Sequence, residues 1–447
     1  MRAVVSGLAV LVAAASISTF GVAHAATTAL IMGASGISDP QTYPAYMPNV
    51  ERYYISPNST CQIGTCTLVP VITPEGLLPP LLGNMTFDPS VAEGVDDITT
   101  ALHSQFAAHP TDNVVVFGYS QSSDISTILK SRLNSDPQAP PSDQLSFVLT
   151  ANTNRPNGGL FTRFPGVHIP LLNITFNPPP TPTDTGYATT DIAYQYDPIA
   201  DFPRYPLNLL ADLNAVMALP GVHLSYPNPY LSSSVFVPSR LPYGYTEAQV
   251  QQLMSDPANR QTYGDTTYIT IPANNLPLLQ PLIDFGTVTR LSLLTTPIVD
   301  LLQPALRVLI ELGYDRTTPY GTPTTAGLFP AVTPGEVVAN LGAAIKEGVQ
   351  AAVNDIATRA SSPTTSLLTA ERSQSPSVSS LRHARAGSLP ASAAASRWGG
   401  ADGLGSGPRR AGAPARGALG VGSGGAAAIT ADGSVGSAAA GPTARTA

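Results

Sequence analysis

An apolar strand that ends abruptly in a Gly-x-Ser-x-Ser turn is the feature that most constrains this chain. Residues 113–122 read Asn-Val-Val-Val-Phe-Gly-Tyr-Ser-Gln-Ser, and apolar positions at helical spacing follow as far as Leu133. The four consecutive apolar residues are typical of a strand buried on both faces of a parallel sheet. Gly118 and Ser122 are small enough for strand and helix to approach closely around the turn. The pattern predicts a nucleophile elbow that exposes the hydroxyl of Ser120.

Activation of this serine requires a histidine base, and few histidines are suitably placed. A hydroxyl is a weak nucleophile until a base accepts its proton. In the α/β-hydrolase order, the acid and then the base follow the nucleophile. His168 follows Ser120 so soon that little chain remains for an acid-bearing strand, whereas His223 lies beyond a helical pattern at 207–217. We therefore predict that His223 is the base.

The acid that orients this histidine is expected at the end of a strand between the nucleophile and the base. Segment 191–196 alternates apolar positions and leads into Asp197, which makes Asp197 the first choice. Asp201 is the alternative acid if its loop doubles back, and its structural interpretation is a turn or helix cap. The sequence leaves both aspartates open.

Backbone N–H groups are predicted to stabilise the oxyanion of the reaction. One such donor in this architecture is the residue after the nucleophile, here Gln121, and the other belongs to a loop after an earlier strand. Segment 28–32 fits a first strand, and the glycine-rich loop 33–36 follows it. We expect Ser35 or Gly36 to supply the second donor, although a turn without a chemical role fits the same residues.

Several longer segments, together with the motif around Ser120, resemble the PE-PPE domain family, the mycobacterial serine α/β-hydrolases related to cutinases. The resemblance runs from about 29 to 355, and the segments are 30–33, 86–95, 115–122, 200–215 and 307–314. It implies an α/β-hydrolase fold, with a mostly parallel central sheet flanked by helices. It also implies a Ser-Asp-His esterase site at Ser120, Asp197 and His223. Some family members are implied to be acyltransferases that build trehalose glycolipids of the cell envelope.

Composition divides the chain into a leader, one large domain and a tail. An apolar stretch from 3 to 22, followed by Ala-His-Ala, is typical of a signal peptide over 1–25, where the family carries a PE or PPE domain. An uncleaved membrane anchor is the other interpretation. Residues 26–358 are predicted to form the hydrolase domain. The tail, 359–447, is rich in Ala, Gly, Ser and Arg and is expected to be disordered.

An apolar, lid-like insertion is predicted at about 227–330, where the chain departs from a minimal hydrolase. Its leucines, among them Leu279 and Leu294, are interrupted by prolines. Apolar walls with few polar groups suit an acyl chain, and a lid over the active site would supply them. Ordinary core packing explains the same residues equally well.

Cysteine content and net charge limit the kinds of ligand that the chain is expected to bind. Cys61 and Cys66 are the only cysteines, and their close spacing favours a small disulfide loop formed in an oxidising compartment. No His or acidic cluster lies near them in the sequence to complete a metal site. The net charge is −7, and no basic stripe with interleaved aromatics is present. We expect no metal, no cofactor and no nucleic acid partner.

The combined prediction is an exported serine esterase or lipase that acts on an acyl ester or lipid through an acyl-enzyme. Secretion and retention in the cell envelope are both open, and the basic tail could contact an anionic envelope surface or act only as a solvated linker. Acyl transfer to trehalose-type envelope glycolipids is one alternative function. A non-catalytic cell-envelope protein that retains the fold is the other.

Overall fold

The computed structural model describes residues 25–43, 45–177, 179–227 and 241–361. The strands in these ranges are β1 (Thr27–Ile31), β2 (Cys66–Pro70), β3 (Asn113–Tyr119), β4 (Leu145–Thr150), β5 (His168–Ile169), β6 (Ile174–Thr175), β7 (Thr189–Tyr194), β8 (Arg260–Tyr263) and β9 (Thr266–Ile271). The helices are α1 (Tyr46–Val50), α2 (Phe87–Ala108), α3 (Gln121–Leu133), α4 (Leu160–Arg163), α5 (Leu209–Gly221), α6 (Glu247–Ser255), α7 (Gln280–Thr289), α8 (Ser292–Glu311) and α9 (Pro334–Ser361). The predicted signal peptide lies almost wholly outside the described residues, as does nearly all of the predicted tail.

Seven strands form one sheet in the order β2-β1-β3-β4-β7-β9-β8. All neighbouring strands are parallel except β8, which pairs antiparallel with β9 at the edge of the sheet. Strands β5 and β6 form a separate antiparallel hairpin. A mostly parallel sheet flanked by helices is the α/β-hydrolase architecture that the sequence predicts.

Two hydrophobic cores, one on each face of the sheet, explain the consecutive apolar residues of the central strands. In β3, Val115 and Phe117 pack into a core that also contains residues of α1 and α6. Val114 and Val116 pack into the opposite core, with residues of α2 and α3. Successive side chains of a strand point to opposite faces, so a strand covered on both sides needs an apolar residue at every position.

Part of the segment predicted as an insertion belongs to the central sheet. Strand β9 pairs parallel with β7 from Thr189 to Tyr194, so it extends the sheet and does not form a separate cover. The described part of the segment also contains α6, β8, α7 and α8, and of these α7 and α8 pack on a third core together with Leu276 and Leu279. The sequence analysis assigned this segment to the insertion, although its Thr, Tyr and Ile residues are types that favour strands.

The two cysteines are joined in a disulfide immediately before β2. Cys61 is fully buried, and Cys66 is the first residue of the strand. The bond closes the short loop between 61 and 66, as their spacing predicts. It therefore connects the loop before β2 to the edge of the main sheet.

Candidate active site

The turn between β3 and α3 holds Ser120 in an unusual backbone conformation. Ser120 has φ 57° and ψ −115°, a region in which a residue with a side chain is strained. Gly118 has no room for a side chain, because a Cβ atom there would lie 2.6 Å from the carbonyl oxygen of Ser122. The strand, the strained serine and the helix that starts at Gln121 have the geometry of a nucleophile elbow.

Ser122 contributes a hydroxyl to this turn as well as a small volume. The Tyr119 N–H donates to Ser122 Oγ at 2.8 Å, and the Ser122 hydroxyl donates to the carbonyl oxygen of Gly33 at 2.5 Å. Gly33 lies in the loop after β1, so Ser122 connects the elbow to that loop. A glycine at this position would leave the same space but could not make either hydrogen bond.

Ser120, His223 and Asp197 form one continuous hydrogen-bonded path. Ser120 Oγ lies 3.0 Å from His223 Nε2, and His223 Nδ1 lies 3.0 Å from Asp197 Oδ1 and 3.2 Å from Asp197 Oδ2. A carboxylate can only accept, so Nδ1 carries the ring proton and Nε2 is left to accept a proton from the Ser120 hydroxyl. The structure therefore brings together the nucleophile, the base and the first-choice acid of the sequence analysis.

Several neighbours hold Asp197 in its ionised form. The Tyr226 hydroxyl donates to Oδ2 at 2.7 Å, and the Ile199 N–H donates to Oδ1 at 2.8 Å. Burial by itself raises the pKa of Asp197, but the charge and hydrogen bond of His223, with the hydrogen bonds from Tyr226 and Ile199, keep that pKa below its ordinary value. The sequence analysis missed Tyr226, whose only signal was its closeness to His223 in the chain.

Asp201, the alternative acid, is engaged elsewhere. Its Oδ1 accepts a hydrogen bond from Arg316 Nη1 at 2.6 Å, and its Oδ2 accepts one from the Tyr196 N–H at 2.8 Å. Asp201 is 1% exposed, so the pair with Arg316 neutralises a buried charge. His168, the rejected base, lies in the β5–β6 hairpin, where its Nδ1 is 3.0 Å from Thr175 Oγ1.

The loop after β1 approaches the elbow, as predicted, and its two candidate donors differ in their surroundings. The Gly36 N–H donates to the carbonyl oxygen of Glu75 at 2.7 Å. The Ser35 hydroxyl donates to Gln121 Oε1 at 2.8 Å, which connects the loop to the residue after the nucleophile. Of the two predicted loop residues, Ser35 is the one joined to Gln121.

The side chain of Gln121 makes hydrogen bonds in three directions and is 1% exposed. Its Oε1 accepts from Ser35, and its Nε2 donates to the carbonyl oxygen of Gly76 at 3.0 Å and to Ser90 Oγ at 2.9 Å. Ser90 also accepts the Gly76 N–H at 2.7 Å. We call this set of four residues the Gln121 clamp. The sequence analysis considered only the backbone of Gln121, because nothing local indicates the contacts of its amide.

No metal centre accompanies this constellation in the part of the chain that the structure describes. There, no group of three or more His, Cys, Asp or Glu side chains is arranged to hold a metal ion. The polar groups beside Ser120 are occupied with one another through the contacts given above. The chemistry that this arrangement can support is proton transfer from Ser120 to His223 and nucleophilic attack by the serine.

Sequence comparison gives a family match and several related proteins. The PE-PPE domain matches residues 65–315. Esterase PE16 of Mycobacterium tuberculosis is 41% identical over 322 residues, which are 71% of this chain and 54% of that protein. SL1278 acyltransferase Chp1 of the same organism is 28% identical over 342 residues, covering 73% of this chain and 71% of that protein. The chain spans about half the length of several curated relatives that it matches, Esterase PE16 among them.

Similarity to solved structures is limited in extent. A cutinase-like protein from Cryptococcus sp. is 16% identical, with a TM-score of 0.27, and the overlap covers 40% of this chain and 79% of that chain. An overlap of this size has no bearing on function.

Proposed function

Because the chain belongs to the PE-PPE domain family, we propose that it is a serine esterase or lipase that hydrolyses acyl esters through Ser120, His223 and Asp197. The observation that carries the proposal is the unbroken hydrogen-bonded path from Ser120 Oγ through the His223 ring to Asp197. A structural serine at a turn has no need of a strained backbone, a histidine at its hydroxyl and a buried carboxylate behind that histidine.

The proposed reaction proceeds through an acyl-enzyme. His223 Nε2 accepts the Ser120 proton while Oγ attacks the ester carbonyl carbon, and the tetrahedral intermediate then expels the alcohol, which takes the proton from His223. Water next attacks the acylated Ser120 and gives a proton to His223. When this second intermediate collapses, the carboxylic acid leaves and the proton returns to Ser120.

The surroundings of Asp197 support this role for His223. An ionised carboxylate beside Nδ1 stabilises the imidazolium that forms in each step, and it keeps the ring in the tautomer that presents Nε2 to Ser120. The lowered pKa of Asp197 means that the carboxylate stays ionised at neutral pH. Tyr226 fixes the second carboxylate oxygen and thereby limits rotation of the acid.

We assign the two oxyanion donors to the backbone N–H groups of Gln121 and Ser35. The Gly36 N–H already donates to the Glu75 carbonyl oxygen, so it would have to lose that hydrogen bond before it could donate to an oxyanion. The Ser35 side chain contacts Gln121 Oε1 directly, which keeps the two donor residues at a fixed separation. Fixed donors that need no rearrangement are what stabilisation of a transient negative charge requires.

We also propose that the enzyme is exported and works outside the cytosol, either released or retained in the cell envelope. The sequence at 1–25 has the pattern of a signal peptide, and it lies almost entirely outside the described residues. The disulfide between Cys61 and Cys66 agrees with an oxidising compartment. The catalytic domain is proposed to span 26–358, with the tail beyond it, and the substrate is proposed to be an acyl ester or lipid.

Acyl transfer to a sugar hydroxyl is the second candidate function. Two relatives have acyltransferase in their names: SL1278 acyltransferase Chp1, at 28% identity, and diacyltrehalose acyltransferase Chp2, at 30%. The same Ser120 acyl-enzyme would serve, with a trehalose-type hydroxyl in place of water in the second step. Incubation of the enzyme with a labelled acyl ester and trehalose distinguishes the two, because hydrolysis yields free acid whereas transfer yields an acylated sugar.

Replacement of the nucleophile tests the proposal. Ser120→Ala is expected to lower kcat on p-nitrophenyl acyl esters by about 10⁴-fold or more, while the melting temperature stays near that of the wild type. A fluorophosphonate probe should label the wild-type protein on Ser120 alone, as peptide mapping would reveal. Near-normal turnover by Ser120→Ala, or labelling at another serine, would contradict the proposed nucleophile.

A further inference from the structure

Helices α7 and α8 present an apolar face to solvent. The exposed side chains of this face, from the middle of α7 through the turn to α8, are Phe285, Val288, Leu291, Leu294, Ile298 and Leu302. Leu294 is 64% exposed and Phe285 is 53% exposed. We call this set of six residues the hairpin face. Clusters of exposed apolar side chains on a soluble domain mark interaction sites.

Helical periodicity makes the hairpin face one-sided. Leu291, just before α8, and Leu294 and Ile298 within it follow the spacing of one helix face, whereas Thr295 and Val299 point into the protein and are buried. The cavity between the two helices, about 220 Å³, is lined largely by hydroxyl and amide side chains, with only two aliphatic residues: Asn275, Ile283, Thr287, Ser292, Thr295, Thr296, Val299 and Asp300. These leucines therefore face outward and do not line an enclosed acyl pocket.

The hairpin face carries almost no charge. Between Asp284 and Asp300 the only charged side chain is Arg290, which lies in the turn between the helices with φ 60°. Contact with an apolar medium therefore removes no carboxylate from water in this stretch. An arginine can lay its aliphatic stem along such a medium and keep its guanidinium at the polar boundary.

The hairpin is attached to the structure that holds the candidate active site. Its buried side packs in the third core with Tyr196, the residue before Asp197. The Leu278 N–H, just before α7, donates to Asn214 Oδ1 of α5 at 3.1 Å. Helix α5 ends at Gly221, two residues before His223. Helices α5, α7 and α8 thus form one layer beside the acid and the base.

Exposed apolar side chains continue along α5 towards the base. Leu209 is 76% exposed, Leu213 and Val216 lie one and two turns further on, and both are also exposed. Leu224, next to His223 in the chain, is 43% exposed. The apolar surface of this layer therefore extends from α5 to the immediate neighbour of the base.

We propose that the hairpin face docks on the surface of an anionic lipid layer, from which the ester substrate is drawn. This inference rests on the proposed function. The exposed side chains are aliphatic apart from Phe285, whereas the centres of protein interfaces are enriched in aromatic residues. Helix α8 is also long and apolar enough to cross a membrane, judged by length and composition alone. Aliphatic side chains with a basic residue at the edge are typical of helices that lie at a lipid surface.

Charge complementarity indicates that the lipid is anionic. Residues 362–447 contain eight arginines and three acidic residues, and this basic stretch follows α9 directly in the chain. Basic residues near an anionic membrane surface are attracted to it electrostatically. Arg290 adds one positive charge at the edge of the hairpin face, so this edge and the tail favour the same sign of surface charge.

Co-sedimentation with lipid vesicles tests the proposal on the full chain. The protein is mixed with vesicles of phosphatidylcholine, with or without phosphatidylglycerol. We expect binding to the vesicles that contain phosphatidylglycerol, and weaker binding to phosphatidylcholine alone. Leu294→Asp should weaken the binding roughly tenfold, because it places a charge where an exposed leucine would enter the lipid layer. Leu171→Asp is the matched control, because Leu171 is 80% exposed but lies in the turn of the β5–β6 hairpin.

Three results would overturn the proposal. Equal binding by Leu294→Asp and the wild type would exclude the hairpin face, and equal binding to both vesicle types would exclude an anionic surface. A wild-type dimer that Leu294→Asp dissociates, without vesicle binding by either protein, would assign the face to a second copy. Ser120→Ala separates docking from catalysis. Vesicle binding by this variant, together with a wild type that hydrolyses no ester, would refute the esterase and leave the docking surface in place.

Discussion

Asp197 and Asp201 are chemically identical, nearly adjacent and both buried, yet their neighbours give them different tasks. Asp197 accepts hydrogen bonds from His223 and Tyr226, so its charge acts on the imidazole. Asp201 accepts from Arg316, so its charge is neutralised by a permanent cation. Chain order could not separate the two aspartates because Arg316 is more than a hundred residues away. The histidine was easier to predict, since elimination left only two candidates.

Substitution of each aspartate by asparagine should therefore have different effects. Asp197→Asn is expected to lower kcat by about 10⁴-fold with little change in melting temperature, because the amide no longer holds His223 in the productive tautomer. Asp201→Asn is expected to retain most activity and to lower the free energy of unfolding by about 1 to 3 kcal/mol, because it removes one of the two carboxylates that pair with Arg316 and leaves only Glu311. Steady-state kinetics and denaturant unfolding of both variants measure the two effects. An inactive but fully stable Asp201→Asn protein would transfer the acid role to Asp201.

At the scale of elements, the site depends on contacts between segments that are distant in the chain. The Gln121 clamp joins the start of α3 to the loop after β1, the loop after β2 and the first turns of α2. Gly76 must lack a side chain there, because a Cβ atom would lie 2.3 Å from the carbonyl oxygen of Met85. The two proposed oxyanion donors thus belong to different elements, and one buried side chain fixes their separation.

Loss of the clamp should impair catalysis more than stability. Gln121→Leu removes all three amide hydrogen bonds, so Ser35 loses its contact with the residue after the nucleophile, and the Ser122–Gly33 hydrogen bond still joins the loop to the elbow. We expect kcat to fall by roughly tenfold to a hundredfold with KM little changed, since the oxyanion forms only in the transition state. Fluorophosphonate mapping should still find Ser120 labelled.

Gln105→Leu is the control for the clamp. Gln105 lies in α2 and donates to Thr28 Oγ1 at 3.1 Å, in β1 rather than in the loop that follows it. Both variants replace a glutamine that connects two elements, but only Gln121 contacts the proposed oxyanion loop. A lower melting temperature with unchanged kcat in Gln121→Leu would show that the clamp is merely structural.

Features of the fold that depend on local interactions were predictable from the sequence, whereas those that depend on distant contacts were not. The elbow was predictable because strand, turn and helix are consecutive, and their patterns of burial and small residues are local. Strand β1, strand β7 and helix α5 were recognisable for the same reason. Strand β9 and the outward direction of Leu294 were not, because each depends on which neighbour the chain packs against. The clamp residues Gly76 and Ser90 had no local signal at all.

At the scale of the whole molecule, two carboxyl groups that pair with no cation in the described part of the chain, Glu75 and Asp124, are buried near the candidate active site. Glu75 is fully buried, and its only side-chain hydrogen bond is from Thr73 Oγ1 at 2.8 Å, to Oε1, which leaves Oε2 without a partner among the described residues. Burial raises the pKa of Glu75 to about 8, although the Thr73 hydrogen bond lowers it somewhat. Asp124 is also fully buried, and burial raises the pKa of its carboxyl well above the ordinary value. Both groups favour the protonated form in the folded chain.

Because the pKa of each of these carboxyl groups changes on folding, the free energy of unfolding depends on pH. The pKa of Glu75 rises from an ordinary 4.5 to about 8 on folding, so between these values the folded state binds a proton that the unfolded state has lost. The free energy of unfolding therefore decreases as pH rises through this window and levels off above pH 8. Each unit of pKa difference corresponds to about 1.4 kcal/mol, which gives an upper bound of roughly 5 kcal/mol for Glu75. Asp124 acts in the same direction.

Glu75→Gln should flatten this dependence. The amide cannot ionise. Between pH 5 and pH 8 the free energy of unfolding should therefore decrease by a few kcal/mol less in the variant than in the wild type. Denaturant unfolding of both proteins at a series of pH values measures the difference in slope, and the remaining slope of the variant reports on the other carboxyl groups whose pKa burial raises, among them Asp124 and Asp212. Glu93→Gln is the control for the chemical change, because it makes the same replacement at an exposed position on α2. Parallel curves for Glu75→Gln and the wild type would mean that Glu75 is charged in the folded protein. In that case the loop that contains Glu75 would have to open, so that water could reach the carboxylate.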